Sequence, residues 1–177
     1  GINVLVARFY GARHPESVQK TVSSALIVSL IAGIVLLFAG LLGSPALLRL
    51  LNTKPDLLPG AIVYLRVYFL GMPALALYNF GNAVFSAIGE TKKPLVYLSI
   101  AGALNIVLNL FFVIVCGLSV MGVALASAIS QCVSAALILH ALTRVQDCYA
   151  LHLQEVRPDP DMTKRILLLG VPAGLQN

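Results

Sequence analysis

Residues 94–143 contain no Asp, Glu, Lys or Arg, and they read PLVYLSIAGALNIVLNLFFVIVCGLSVMGVALASAISQCVSAALILHALT. A helix crosses the hydrocarbon core of a bilayer, which is about 30 Å thick, with about 20 apolar residues. This run is long enough for two crossings and must turn once between them. Gly117 and Gly122 favour a turn at residues 116–122. The sequence therefore predicts helices at residues 94–115 and 123–142.

The composition of the whole chain also indicates a lipid environment. Of the 177 residues, 59% are hydrophobic and 11% are charged, and the mean hydropathy is +0.92. Soluble domains have about 45–50% apolar and about 25% charged residues. Two more uncharged runs predict a helix at residues 21–42 and a longer helix that starts at Pro59. With partial spans at residues 1–7 and 166–177, which indicate a piece of a longer protein, we predict an all-α, polytopic transmembrane helical bundle with four complete spans.

The basic residues predict the orientation of the spans. If the spans alternate in direction, Arg49, Lys54 and Arg66 lie on one side, and the other nine of the 12 Lys and Arg residues lie on the opposite side. Short cytoplasmic loops carry an excess of Lys and Arg. We therefore predict a multi-pass protein of the cytoplasmic (inner) membrane, with the turn at residues 116–122 on the outer side.

Two connections outside these spans have a distinctive composition. Residues 45–51 are apolar with one Arg, which predicts a short helix lying in the membrane interface. Residues 144–165 mix both charge signs with two prolines, as a solvated linker does. The predicted organisation is an amino-terminal transmembrane lobe at residues 1–143, a cytoplasmic inter-lobe linker at residues 144–165, and the start of a second lobe at residues 166–177.

Several function classes are disfavoured by the sequence. The basic residues are dispersed and form no patch with interleaved aromatics, so no nucleic-acid partner is predicted. Cys116, Cys132 and Cys148 lack the spacing of a metal or redox site. No catalytic residue set or phosphate-binding loop is recognisable, so neither an enzyme nor a cofactor is predicted.

Polar side chains within the predicted spans fall on single helix faces. They form three sets, namely Asn79, Asn82 and Ser86; Asn105 and Asn109; and Ser127, Gln131 and Ser134. A rise of about 1.5 Å per residue places Asn79, Asn105 and Gln131 near the middle of the membrane. Amides at one depth on separate helices are typical of a transport cavity. Hydrogen bonds between helices explain the same spacing equally well.

The span that carries Asn79 is interrupted by Gly71 and Pro73. Proline removes a backbone donor and clashes with the carbonyl four residues before it, which predicts a bend near Phe69. Such a bend serves either as a moving gate or as a fixed kink, and the sequence leaves both roles open.

Six stretches occur in a characteristic order: residues 5–12 (LVARFYGA), 64–73 (YLRVYFLGMP), 88–94 (IGETKKP), 105–109 (NIVLN), 121–131 (MGVALASAISQ) and 170–172 (GVP). Together they resemble the multidrug and toxic compound extrusion (MATE) family over essentially the whole chain. The resemblance implies a fragment that runs from the end of the second helix to the start of the seventh. It also implies a secondary active efflux transporter, which exchanges an organic cation or drug for Na⁺ or H⁺ by alternating access between two lobes in membrane lipid.

The resemblance further implies roles for individual residues. Asn105 matches an amide on the family's fifth helix, Ser127 falls where Thr is frequent on the sixth, and Asn79 is a looser match on the fourth. Asn109 departs from the family pattern, because many members have Asp there, and an amide excludes protonation at this position. The predicted substrate and cation cavity comprises Asn79, Asn82, Asn105, Asn109, Ser127 and Gln131.

One alternative belongs to the same superfamily. A lipid-linked oligosaccharide flippase or polysaccharide exporter shares the expected fold, and such proteins commonly have cationic residues in the cavity to bind pyrophosphate. No Lys or Arg lies deep in a complete predicted span of this chain.

Overall fold

The computed structural model describes residues 2–152, 154 and 156–176, and regular structure in this part of the chain is helical. The elements are α1 (Ile2–Gly11), α2 (Pro15–Leu50), α3 (Leu58–Phe69), α4 (Met72–Ile88), α5 (Lys92–Leu110), a π-helical turn (Phe111–Val115), α6 (Val120–Thr143) and α7 (Pro160–Gln176). Four stretches are long and apolar enough to cross a membrane, namely Pro15–Leu50, Leu58–Ile88, Lys92–Val115 and Val120–Thr143. The predicted helical membrane bundle with four complete spans is confirmed.

Helix α2 is longer than predicted, because it continues through Pro45 to Leu50. The prediction of a separate interfacial helix at residues 45–51 was therefore wrong. Pro45 has no N–H group, so it leaves the carbonyl of Leu41 without its helical donor. The Nε–H of Arg66 in α3 donates to this carbonyl at 3.1 Å. A donor from the neighbouring helix thus replaces the missing hydrogen bond, and α2 does not break.

The predicted bend lies between α3 and α4, at Leu70 and Gly71. Small residues of α2 pack directly against it. Gly40 lies against the ring of Phe69, and a Cβ atom on Gly33 would stand 2.6 Å from the Cα atom of Pro73. Because glycine lets helices approach closely, α2 holds both sides of the bend.

An apolar cluster lies at one end of the bundle, where α1, α2, α4 and α6 meet the first turns of α7. Its largest fully buried side chains include Phe80, Phe85 and Ile138. Gly81 admits Ile138 between α4 and α6, since a Cβ atom on Gly81 would be 2.9 Å from that side chain. In contrast, Ile114 is 73% exposed on the outer surface of the bundle. Apolar side chains thus lie both inside the bundle and on its surface, as expected where lipid surrounds the protein.

The connection after α6 also differs from its prediction. Helix α7 begins at Pro160, ahead of the expected start at Ile166. Asp159 caps this helix, because its Oδ1 atom accepts the N–H of Met162 at 3.0 Å. Ala150 and Leu151 are buried, so residues 144–165 are not solvated throughout.

Candidate functional site

A cavity of about 870 Å³ lies between α4, α5 and α6. Polar residues from all three predicted sets line it. Five of the six predicted site residues are among them, namely Asn79, Asn82, Asn105, Ser127 and Gln131. The three helix faces therefore meet at one open space, as the estimate of their depth suggested.

The sixth predicted residue, Asn109, is not among the lining residues and instead contacts one of them. Its Nδ2 group donates a hydrogen bond to Oδ1 of Asn105 at 2.8 Å, one turn earlier on α5. This bond fixes the direction of the Asn105 amide, whose N–H groups remain free to act as donors. The Oδ1 atom of Asn109 is buried and accepts no hydrogen bond from the described residues.

Helix α6 contributes hydroxyl and amide groups to the opposite wall. The Oγ–H group of Ser134 donates to the carbonyl of Gln131 at 2.9 Å. In contrast, Oγ of Ser130 and Oε1 of Gln131 are buried without a partner in the described part of the chain. Buried polar atoms are nearly always hydrogen-bonded in folded proteins. These two atoms are therefore exceptions, and both belong to residues that line the cavity.

Helix α4 forms the third wall and is tied to α5. The hydroxyl of Tyr78 donates to the carbonyl of Pro94 at 2.9 Å. The amide of Asn82 accepts a long hydrogen bond from Ser86, at 3.4 Å. Asn79 is exposed and makes no hydrogen bond to another described side chain. Its amide is thus available on the cavity surface.

The cavity wall includes residues that the sequence reasoning missed. Ser130, Tyr68 and Tyr78 all line it. Ser130 follows Ser127 at helical spacing, so extending that polar face by one position would have found it. The two tyrosines carry no comparable signal, because an aromatic residue in an apolar span is ordinarily a packing residue.

The described residues of the cavity wall are polar or apolar, and none of them is charged. None of the lining residues in the described part of the chain is Asp, Glu, Lys, Arg or His. The wall can donate and accept hydrogen bonds and can offer aromatic faces to a cation. It contains no carboxylate that would gain or lose a proton near neutral pH.

The bend at Gly71 touches this site directly. A Cβ atom on Gly71 would clash with Oε1 of Gln131 and would be 3.2 Å from the Cα atom of Ala128. Of the two predicted kink residues, Gly71 therefore packs closely on α6 beside the cavity, whereas Pro73 packs on Gly33 of α2. A moving role for this bend stays a prediction.

Comparisons with known proteins agree with this architecture. The MatE family model matches residues 1–111. The probable multidrug resistance protein YpnP of Bacillus subtilis is 36% identical over 139 residues, which are 78% of this chain and 31% of YpnP. An inward-facing structure of a multidrug resistance MATE family transporter matches 97% of this chain with a TM-score of 0.87 and 29% identity. An outward-facing structure with the same description matches 98% with a TM-score of 0.89 and 28% identity.

In each of those two structures the match covers 39% of the transporter chain. The present chain thus spans less than half the length of the proteins it resembles. The family model, however, covers more than half of the present chain. Together with the four membrane-length helices, this match establishes that the chain belongs to the MATE family of multi-pass membrane proteins.

Proposed function

We propose that this chain forms most of the amino-terminal lobe of a secondary active efflux transporter that works by alternating access. The observation that carries the proposal is the meeting of five predicted polar residues at one cavity within the membrane helices. Alternating access requires a lobe that keeps its internal arrangement while its partner lobe rotates against it. The present helices match an inward-facing and an outward-facing transporter about equally well, with TM-scores of 0.87 and 0.89.

The proposed substrate is an organic cation or drug. A cavity of about 870 Å³ lies within the range of about 300–1,000 Å³ that is usual for sites of drug-sized ligands. The rings of Tyr68 and Tyr78 can attract a cation, and the amides of Asn79 and Asn105 can bind its polar groups. A second lobe of the same protein would complete the site from the open side.

The coupling ion is proposed to be Na⁺ or H⁺, and its carboxylate ligand or proton carrier is proposed to lie outside this cavity wall. Asn109 replaces the carboxylate that the family resemblance predicts at this position, and an amide cannot carry a transported proton. The flippase alternative is not favoured, because the described lining residues include no Lys or Arg for a pyrophosphate.

The test uses the full-length protein in a drug-sensitive bacterium. Asn105→Ala and Ser127→Ala should each lower the drug concentration that the cells tolerate, by up to about tenfold. The reason is that each substitution removes roughly one hydrogen bond to the ligand, worth about 0.5–1.5 kcal/mol. Membrane abundance should stay unchanged. Ser99→Ala is the matched control, since Ser99 is exposed on α5 and bonds to the carbonyl of Leu95 in its own helix. Normal resistance in both cavity variants, at normal abundance, would remove these residues from the site.

A further inference from the structure

The described part of the connection between α6 and α7, residues 144–152, 154 and 156–159, is held against the ends of α1 and α2; we name it the strap. Its carboxylate at Asp147 has two partners. The N–H of Cys148 donates to Oδ1 at 2.6 Å, and the hydroxyl of Tyr10 donates to Oδ2 at 2.9 Å. These bonds hold the pKa of the Asp147 carboxyl below its ordinary value. The group therefore remains ionised and accepts both bonds near neutral pH.

Apolar and aromatic contacts extend this attachment. The ring of Tyr149 lies edge-on to the rings of Tyr10 and Phe85, with centroid distances of 5.8 and 6.2 Å. Ala150 and Leu151 are only 1% and 2% exposed. Two adjacent residues with almost no accessible surface cannot belong to a freely moving linker.

A second attachment lies at the start of α7. The N–H of Asp159 donates to the hydroxyl of Ser24 at 3.3 Å, and its carboxylate lies 3.9 Å from the ammonium group of Lys20. One turn later, the sulfur of Met162 accepts the hydroxyl of Thr21 at 3.2 Å. Met162 and Ile166 are both buried in the apolar cluster. The first turns of α7 are therefore packed on α2.

We infer that the described residues between 144 and 166 form one rigid body with α1–α6 and do not act as the flexible hinge between the two halves of the transporter. Two attachments, one at each end of the strap, must open together before this segment can move. The consequence for transport rests on the proposed function. If two lobes rotate against each other, the rotation takes place beyond Ile166, where the side chains of Leu167, Leu168 and Leu169 are exposed.

Cys148 offers a direct measurement, because it is half-buried in the strap. In the purified full-length protein with every other cysteine replaced by serine, a maleimide should label Cys148 at least about tenfold more slowly than in the denatured protein. Tyr10→Phe removes one anchoring hydrogen bond and should accelerate labelling roughly three- to tenfold. Tyr64→Phe is the matched control: Tyr64 stacks on Tyr68 in α3, away from the strap, so its rate should be unchanged.

Labelling of the folded protein as fast as the denatured protein would overturn the inference. A second pair of results would also overturn the inference. In it, Tyr10→Phe and Tyr64→Phe are labelled at equal rates, and the double variant with Tyr10→Phe and Asp159→Ala is labelled no faster than the parent protein. These rates do not depend on transport activity. A failure of the proposed function would therefore leave this measurement decisive for the strap.

A cross-link then tests the consequence for transport. The side-chain amide of Gln19 donates to the carbonyl of Cys148, so Gln19→Cys places two thiols close together. In membrane vesicles, a short bifunctional thiol reagent should join them and leave drug efflux within about twofold of the value with a monofunctional reagent. Loss of efflux with the bifunctional reagent alone would show that the strap must detach, and would overturn the inference.

Discussion

The cavity wall and the apolar cluster both include residues of α4 and α6, but they differ in how their buried polar groups are hydrogen-bonded. Beside the cluster, on α2, the buried hydroxyl of Thr21 bonds to the carbonyl of Ser17 at 2.7 Å, and Ser24 accepts the N–H of Asp159. At the cavity wall, Ser130 and Gln131 each have a buried oxygen that lacks a partner in the described residues, and so does Asn109 behind Asn105. All three lie on α5 and α6.

This difference indicates that the cluster contributes mainly to the stability of the bundle and the cavity wall mainly to binding. A buried polar group without a partner costs about 1–3 kcal/mol, so the cavity wall is retained at some cost to stability. Close packing on the other face of the same helices offsets that cost. We therefore expect substitutions in the cluster to act mainly on folding and substitutions at the cavity to act mainly on binding.

The largest effect is expected from Ile138→Ala, which opens a cavity in the cluster where Ile138 packs on Gly81. Truncation of a buried Ile costs about 2–5 kcal/mol in well-packed proteins. The apparent melting temperature of the full-length protein in detergent should fall by several degrees. Ile106→Ala is the control, because Ile106 is 65% exposed on α5. Equal melting temperatures for the two variants would contradict the division of roles between cluster and cavity.

A smaller effect is expected where the two regions meet, at Gly71. Gly71→Ala places a methyl group against Gln131, and overpacking of this kind costs about 1–3 kcal/mol. Both the melting temperature and drug resistance should fall. Adding Gln131→Ala should restore the melting temperature but not resistance, since the clash and the cavity amide are removed together. Gly43→Ala is the control, because a Cβ atom on Gly43 meets no atom within 4 Å.

Failure of Gln131→Ala to restore stability would show that the tight contact of Gly71 lies with the backbone of Ala128 instead. In that case the kink would be fixed by helix packing alone. Restored resistance in the double variant would remove Gln131 from the proposed site.

Features that depend on local composition were predictable from the sequence. The number and approximate positions of the membrane spans follow from the uncharged runs, and the bend follows from Pro73. The meeting of Asn79, Asn105 and Gln131 was also predictable, since residues at the same depth on adjacent helices become neighbours. Their part in binding stays a prediction.

Features that depend on a distant partner were not predictable in this way. The sequence predicted a separate interfacial helix at residues 45–51, but α2 continues through Pro45 and Arg66 supplies the missing donor from another helix. Asn109 shares a helix face with Asn105, yet it bonds to that residue and does not line the cavity. The early start of α7 had a local signal in Asp159 and Pro160, a typical N-cap and first helical residue, which the charge of the segment concealed.

The smallest effect is expected from substitution of Arg66, which lies outside both the cavity wall and the cluster. This substitution tests whether a polar group outside the cavity needs its hydrogen-bond partner. Arg66→Ala leaves the carbonyl of Leu41 without a donor and should cost about 1 kcal/mol, the usual net contribution of one hydrogen bond. A shift of a few degrees in the melting temperature should accompany this cost. In a Pro45→Ala background the same substitution should cost less, since the introduced alanine would supply its own N–H to the carbonyl of Leu41. An equal cost in both backgrounds would mean that Arg66 stabilises the helix pair through packing of its side chain, and that the missing proline donor needs no replacement.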